Sequence, residues 1–236
     1  MLRVLVTRPE PGASRTARRL QQAGFQPIVL PLTETVALPV DAEFVPGDAV
    51  AVTSANALRH ASSEIIAALA ALPCHAVGAR TAEAARKMGF SSVIEGSGDA
   101  EALADSIAAT LPGKAITYLC GRVRFPVFEQ RLEAAGVRVR AVETYDTLPV
   151  PYPDETILAL LSGQPVDAVL LYSAKAAAAM QALTKRPALQ EAFEKTMFFA
   201  LSARIAAAFD DRAGTAIRIA GQPDEEALLA LLPVLP

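Results

Sequence analysis

The amino-acid sequence predicts an α/β protein made of two doubly wound parallel sheets. Three observations carry this. Short strands that are apolar on both faces alternate with helical segments, as in a parallel sheet covered on both sides. Blocks from the first half recur in the same order in the second half. The rhythm breaks twice, at equivalent places, in stretches rich in Thr, Glu, Val and Pro.

Val4–Val6, Ile28–Leu30, Ala49–Val52, Ala76–Val77 and Val93–Ile94 read as strands. Helices are expected over 14–23, 55–70, 80–88 and 100–110. Gly24 and Gly89 follow two of these helices, where a left-handed residue commonly ends one. The stretches 31–44 and 142–154 are extended connectors, because Pro39, Pro149, Pro151 and Pro153 interrupt any helix there. Lying at matching positions, they are suited to run side by side as a hinge between lobes.

The repeat is ordered. LQQAGFQPIVLP from Leu20 answers LEAAGVRVRAVE from Leu132, and DAVAVTSANAL from Asp48 answers DAVLLYSAKAA from Asp167. AVGARTAEAA from Ala76 answers ALSARIAAAF from Ala200, and DAEAL from Asp99 answers EEALL from Glu225. The unit is about 115 residues long. Each copy reads βαβ–βαβαβα, which fits a five-stranded doubly wound sheet.

Composition narrows the chemistry. A chain of 236 residues, 52% hydrophobic, buries a sizeable core as one large domain or two small ones. With aromatics at 6% and no Trp, that core is mostly Ala, Leu and Val. A net charge of −3 argues against a dedicated nucleic-acid binder. An anionic ligand would have to be held by local arginines and helix ends. Cys74 and Cys120 have no CxxC spacing, which fits a reducing compartment, buried thiols and no structural zinc. His60 and His75 have no motif partner and are read as structural, so metal catalysis and a Ser–His–Asp triad are poor hypotheses. The N-terminal apolar run is too short for a signal peptide. No uncharged apolar stretch reaches the ~18 residues of a membrane span. The expected location is the cytoplasm, with no membrane partner.

In doubly wound sheets, ligands bind beyond the carboxyl ends of the strands. Four turns there are chemically marked: Thr7–Arg8; TSANAL with Thr53, Ser54 and Asn56; VGARTAEAA with Gly78 and Thr81; and LCGRVRF with Gly121, Arg122 and Arg124. Each has a plainer reading. Ser, Thr and Asn at helix starts are ordinary caps, stabilising by ~1 kcal/mol each, and Arg8 and Arg122 serve equally well as solvated charges. Together, however, the turns place helix N-termini and two arginines on one predicted side of their sheets, an arrangement suited to anionic groups. EGSGDAEAL contains only G-x-G, with Glu101 at the third glycine position. It is read as a loop and helix cap, and the chain has no Walker A sequence. Tyr145 lies in the second connector, in ETYDT.

VLVTRP, TSANAL, VGARTAEAARKMGF, the Gly121–Arg122 turn, VETYDT, DAVLLYSA and PDEEALLALL run in order from residue 4 to residue 232. This series resembles the uroporphyrinogen-III synthase family. The resemblance implies two flavodoxin-like lobes joined by a two-stranded extended linker. One lobe would be discontinuous, 1–34 with 150–236, the other 41–142, with connectors at about 35–40 and 143–149. The linear repeat predicts the units; their exchange between lobes is implied by the resemblance alone.

The implied reaction cyclises hydroxymethylbilane to uroporphyrinogen III, with inversion of ring D and loss of water, and uses no cofactor and no metal. Tyr145 matches the tyrosine thought to assist departure of the ring A hydroxyl. A phenol of ordinary pKa ~10 can donate a hydrogen bond to that group. Thr81 is the second implied catalytic position. Arg8, Ser54, Asn56, Gly78, Gly121, Arg122, Ser173 and Ser202 are implied to bind substrate. ALSARIAAAF departs from the usual pattern, placing Ser202 and Ile205 where the family has Gly and Thr. The expected enzyme is a monomer that touches the preceding pathway enzyme transiently. A non-catalytic two-lobed binding module is the alternative. A nucleotide-dependent enzyme would need a phosphate loop that the sequence lacks.

Overall fold

The protein is described by a computed structural model covering residues 1–40, 44–209 and 217–233. In chain order the first part contains β1 (Arg3–Val6), α1 (Gly12–Gln22), β2 (Gln26–Val29), β3 (Thr33–Ala37), β4 (Ala49–Val52), α2 (Ala55–His60), α3 (Ser63–Leu69), β5 (Cys74–Ala76), α4 (Ala79–Lys87), β6 (Val93–Glu95) and α5 (Ala100–Thr110). The second part contains β7 (Ala115–Gly121), α6 (Val127–Ala134), β8 (Arg138–Pro149), α7 (Asp154–Leu161), β9 (Ala168–Leu171), α8 (Ala174–Thr184), α9 (Gln190–Phe193), β10 (Met197–Ala200), α10 (Ala203–Ala207), β11 (Ile217–Ile219) and α11 (Glu225–Leu229).

Among the described residues the strands form two sheets, ordered β11-β10-β9-β1-β2 and β3-β8-β7-β4-β5-β6. The first belongs to unit 1, Met1–Glu34 with Leu148–Pro236; the second lies almost wholly in unit 2, Thr35–Thr147. Within unit 1, β1 runs parallel to β2 on one side and to β9 on the other. Within unit 2, β7 holds the matching place between β8 and β4. The repeated βαβ blocks, β1–α1–β2 and β7–α6–β8, therefore each join strands from the other copy of the repeat.

Strands β1, β4 and β9 are buried along their whole length. Their side chains alternate between two apolar layers, as the period of two requires. In unit 1, Leu5 packs with Ile28, Val169 and Phe198, while Val4 and Val6 pack with Leu20, Leu170 and Phe199. In unit 2, Val50 and Val52 meet Leu58 and Leu69, while Ala49 and Ala51 meet Ile107 and Leu132. This is the alternating α/β pattern the sequence predicts.

One predicted helix is two. The stretch 55–70 breaks after His60, where Ala61 is extended and Ser62 caps α3 by accepting a hydrogen bond from the Ile65 amide at 3.4 Å. A serine cap competes with helix continuation by offering the backbone a local partner. The connectors are extended as expected: β3 and β8 are neighbours in the six-stranded sheet, and the Leu38 amide donates to the Thr144 carbonyl at 2.9 Å. Residues 41–43 of the first connector lie outside the described residues. Gly24 and Gly89 have φ of 85° and 97°, the left-handed conformation that ends α1 and α4. Asp99 caps α5 through the Glu101 and Ala102 amides. Both cysteines are free and buried, and burial pushes each thiol up to about 12. Among the described residues no helix is long and apolar enough to cross a membrane.

Candidate active site

The parallel strands of unit 2 bring their C-terminal ends to one edge, where Thr53–Ser54 and Val77–Gly78 follow β4 and β5 and Gly121 ends β7. A cavity of about 590 Å³ opens there, with Ser54, Val77, Gly98, Tyr118, Gly121, Phe125 and Tyr145 among its lining residues. The hydroxyls of Tyr118 and Thr53 lie 2.7 Å apart, and the Tyr118 ring tilts against Phe128 with centroids 4.6 Å apart. Burial pushes the Tyr118 phenol up to about 12, so it remains protonated near neutral pH. Local pattern gives no sign of this hydroxyl pair, because Tyr118 sits in a fully buried strand and meets Thr53 only across the sheet.

Tyr145 reaches the cavity from β8. The β7–β8 register shifts between Cys120 and Gly121, setting Gly121 opposite Tyr145. A Cβ on Gly121 would lie 2.7 Å from Tyr145 Cζ, so glycine leaves room for the ring at this point. The Arg122 amide donates to the Tyr145 carbonyl at 2.9 Å. The imidazole of His60, at the end of α2, stacks on the Tyr145 ring with centroids 5.8 Å apart and planes at 28°. His60 Nε2 lies 2.9 Å from Thr35 Oγ1. Burial, with a smaller contribution from Arg59, holds the His60 pKa below its ordinary value.

The arginines of this edge carry their own counter-ions. Arg122, with its side chain 54% exposed, lies 3.3 Å from Glu143 and 3.7 Å from Asp146. Arg124 bonds Glu129 and Glu143, each at 2.9 Å. Burial disfavours the Arg124 charge, but these carboxylates outweigh it and raise the pKa of its guanidinium. The Arg124 hydrogen bond in turn holds Glu143 below the usual carboxylate range.

Ser54 caps α2 through the Asn56 amide at 3.2 Å, and Asn56 Oδ1 accepts from Arg59 at 2.7 Å. A Cβ on Gly78 would meet Gly98 Cα at 3.1 Å, so close packing of two loops by itself favours glycine there. Thr81, 5% exposed in the first turn of α4, lies outside the cavity lining.

Unit 1 has an edge of the same kind, where Arg8, Ser173 and Ser202 follow the parallel strands β1, β9 and β10. Thr7 is buried and donates to the Leu170 carbonyl at 2.7 Å. Arg8 is no solvated charge. Its side chain is 18% exposed, lies 4.3 Å from the Tyr172 ring centroid and bonds Glu225 at 3.0 Å. Glu225 also accepts from Arg19 at 3.1 Å, from Tyr172 at 3.2 Å and from Thr16. Burial raises the Glu225 pKa, but Thr16 and the two arginines outweigh it and lower it overall. Burial pushes Tyr172 up to about 12. Ser173 caps α8 through the Ala176 amide at 3.1 Å. Ser202 stands at the N-cap of α10 without a side-chain cap bond. Ile205 lies in the apolar core beside α8, which accounts for an apolar residue at that turn. Among the described residues no group of three His, Cys, Asp or Glu side chains is placed to hold a metal ion.

No curated protein sequence is significantly similar to this chain. Among solved structures, uroporphyrinogen-III synthetase from Helicobacter pylori superposes with a TM-score of 0.64 at 17% identity, covering 98% of each chain. A mutant uroporphyrinogen III synthase from Thermus thermophilus gives 0.49 at 20% identity over 88% of each. At these identities the first likeness speaks for the α/β fold. The family model described as uroporphyrinogen-III synthase HemD matches residues 14–230. Nearly the whole length thus fits one sequence family, and the chain belongs to the uroporphyrinogen-III synthases, lyases that cyclise hydroxymethylbilane to uroporphyrinogen III.

Proposed function

We propose that Tyr145 donates a hydrogen bond to the departing ring A hydroxyl, and that the sheet edges hold the bilane chiefly through main-chain amides. The observation that carries this is the seat of Tyr145: its ring lines the unit 2 cavity at the carboxyl end of the sheet, in space that Gly121 leaves open. The substrate's acetate and propionate groups suit the helix N-termini that follow Ser54, Gly78, Ser173 and Ser202. Arg8 and Arg122 already face carboxylates. A substrate carboxylate must share or displace those partners, which shifts the larger part of recognition to backbone N–H groups. Asn56 contributes from the first turn of α2. Thr81, buried in the first turn of α4, keeps only the secondary catalytic part that the resemblance implies.

Magnitudes rank the effects. A thousandfold preference for the inverted closure needs only ~4 kcal/mol of differential barrier. Holding the chain ends in reactive geometry supplies ~7–11 kcal/mol, whereas a general acid adds ~10²–10⁴-fold. Restraint of the bilane therefore dominates and Tyr145 assists. We read both sheets as flavodoxin-like. Unit 1 has the order 2-1-3-4-5 counted along the chain, and unit 2 has it when counting starts at β7, with β3 added at the edge. We take the enzyme to be a cytoplasmic, cofactor-independent monomer that meets the preceding pathway enzyme transiently.

The test is incubation with freshly made hydroxymethylbilane followed by isomer separation. The wild type is expected to give the type III isomer in excess over the spontaneous type I product. Tyr145→Phe is expected to turn over roughly 10²-fold more slowly while still giving type III. Complete loss of turnover in that variant, with substrate affinity intact, would reverse the ranking of restraint over acid assistance.

A further inference from the structure

We infer that His60 is a positioning residue for Tyr145: its imidazole, tied to Thr35, holds the phenol in the orientation the reaction uses. The inference rests on the assignment of Tyr145 as hydrogen-bond donor and goes a step beyond it. Two restraints reach Tyr145 from the neighbouring strand β7 and the turn after it. Gly121 Cα lies against the ring, and the Arg122 amide holds the Tyr145 carbonyl at 2.9 Å. A third comes from a separate element. His60 ends α2 and lays its ring on the phenol at 5.8 Å and 28°, within the range of offset aromatic pairs.

The imidazole is itself fixed. Its Nε2 lies 2.9 Å from the Thr35 hydroxyl on β3, so rotation of the ring off Tyr145 breaks a hydrogen bond. Arg59, the neighbouring cation on the same helix, bonds Asn56 Oδ1. Histidine alone among the side chains combines a flat ring small enough to stack here with a ring nitrogen able to bond Thr35. Phenylalanine keeps the stack and loses the tether. Alanine loses both.

A donor held in one orientation spends more of its time aimed at the leaving hydroxyl. Loss of that restraint lowers the chemical step and leaves binding of the bilane to the rest of the edge unchanged. The expected result for His60→Ala is a kcat lowered about 3–10-fold with KM unchanged. His60→Phe recovers most of that loss, and Thr35→Val, which removes only the tether, shows a smaller fall. Steady-state isomer assays on the full chain measure all three, with thermal unfolding to establish that each variant is folded.

The deciding measurement is the double-mutant cycle. In a Tyr145→Phe background no hydroxyl remains to be aimed, so His60→Ala is expected to change kcat no further. An equal kcat loss in both backgrounds, or a His60→Phe variant as slow as His60→Ala, overturns the inference. A Tyr145→Phe enzyme with unaltered kcat overturns instead the assignment of Tyr145 itself, a separate and distinguishable failure. Should His60→Ala fail to fold, Thr35→Val alone and with Tyr145→Phe decides in the same way.

Discussion

Gly121 shows how one missing methyl group shapes a site. Its backbone does not require glycine through a positive φ; the need comes from the Tyr145 ring, which an added Cβ would approach to 2.7 Å. Gly121→Ala is therefore expected to destabilise the protein by about 1–3 kcal/mol, as overpacking does, and to lower kcat by moving the phenol. Chemical denaturation and the isomer assay read the two effects. The histidines govern a different property. Burial holds His75 below its ordinary pKa of 6.5, and burial with Arg59 does the same for His60. The unfolded chain then takes up protons near pH 6.5 while the folded chain resists until lower pH. The associated stability is complete above that ordinary value and is lost as pH falls from there through the depressed folded values. A second loss is expected below about pH 4.5, where Glu143 and Glu225, both held low, protonate. Melting temperatures across the range from about pH 2 to about pH 8 test both steps. Replacing His75 with Leu is expected to flatten the first step, and an unchanged first step would exclude His75 as a source.

At the scale of elements, caps and punctuation were largely readable. Gly24, Gly89 and Asp99 stand where local rules place helix ends. Ser62 was missed because the apolar periodicity of 55–70 continues across the break, while the cap depends on one side chain turning back to the Ile65 amide. The role of α11 was not readable at all. Glu225, in its first turn, gathers Arg8, Arg19, Thr16 and Tyr172, and so fastens the last helix to α1 and to the turn after β9. Loss of its charge leaves a half-buried Arg8 beside a weaker acceptor. Glu225→Gln is expected to cost about 1.5–3 kcal/mol, seen as a lower urea midpoint with an unchanged slope. An unchanged midpoint would mean that the cluster contributes no net stability.

At the scale of the molecule, the chain crosses between units after Glu34 and after Thr147. Unit 2 is continuous in sequence and contains both apolar layers of its own sheet. The excised segment 35–147 is therefore expected to fold alone, with a cooperative urea transition and native-like circular dichroism. A gradual, non-cooperative transition would show that it depends on the rest of the chain. Residues 1–34 alone have no such independence, because β1 takes its second partner from β9.

The amino-acid sequence by itself determined most of the strands and helices, the parallel character of the sheets, the internal repeat and the edge at which the chemically marked turns collect. These are written in local periodicity and in short signals at element ends, which depend on neighbours a few residues away. The exchange of the repeated βαβ blocks was implied by the family resemblance and not by the linear repeat; only the tertiary structure decided that Arg8 is answered by Glu225 and that His60 lies on Tyr145. Those are contacts between residues far apart along the chain, fixed by register and packing, and no local pattern records them.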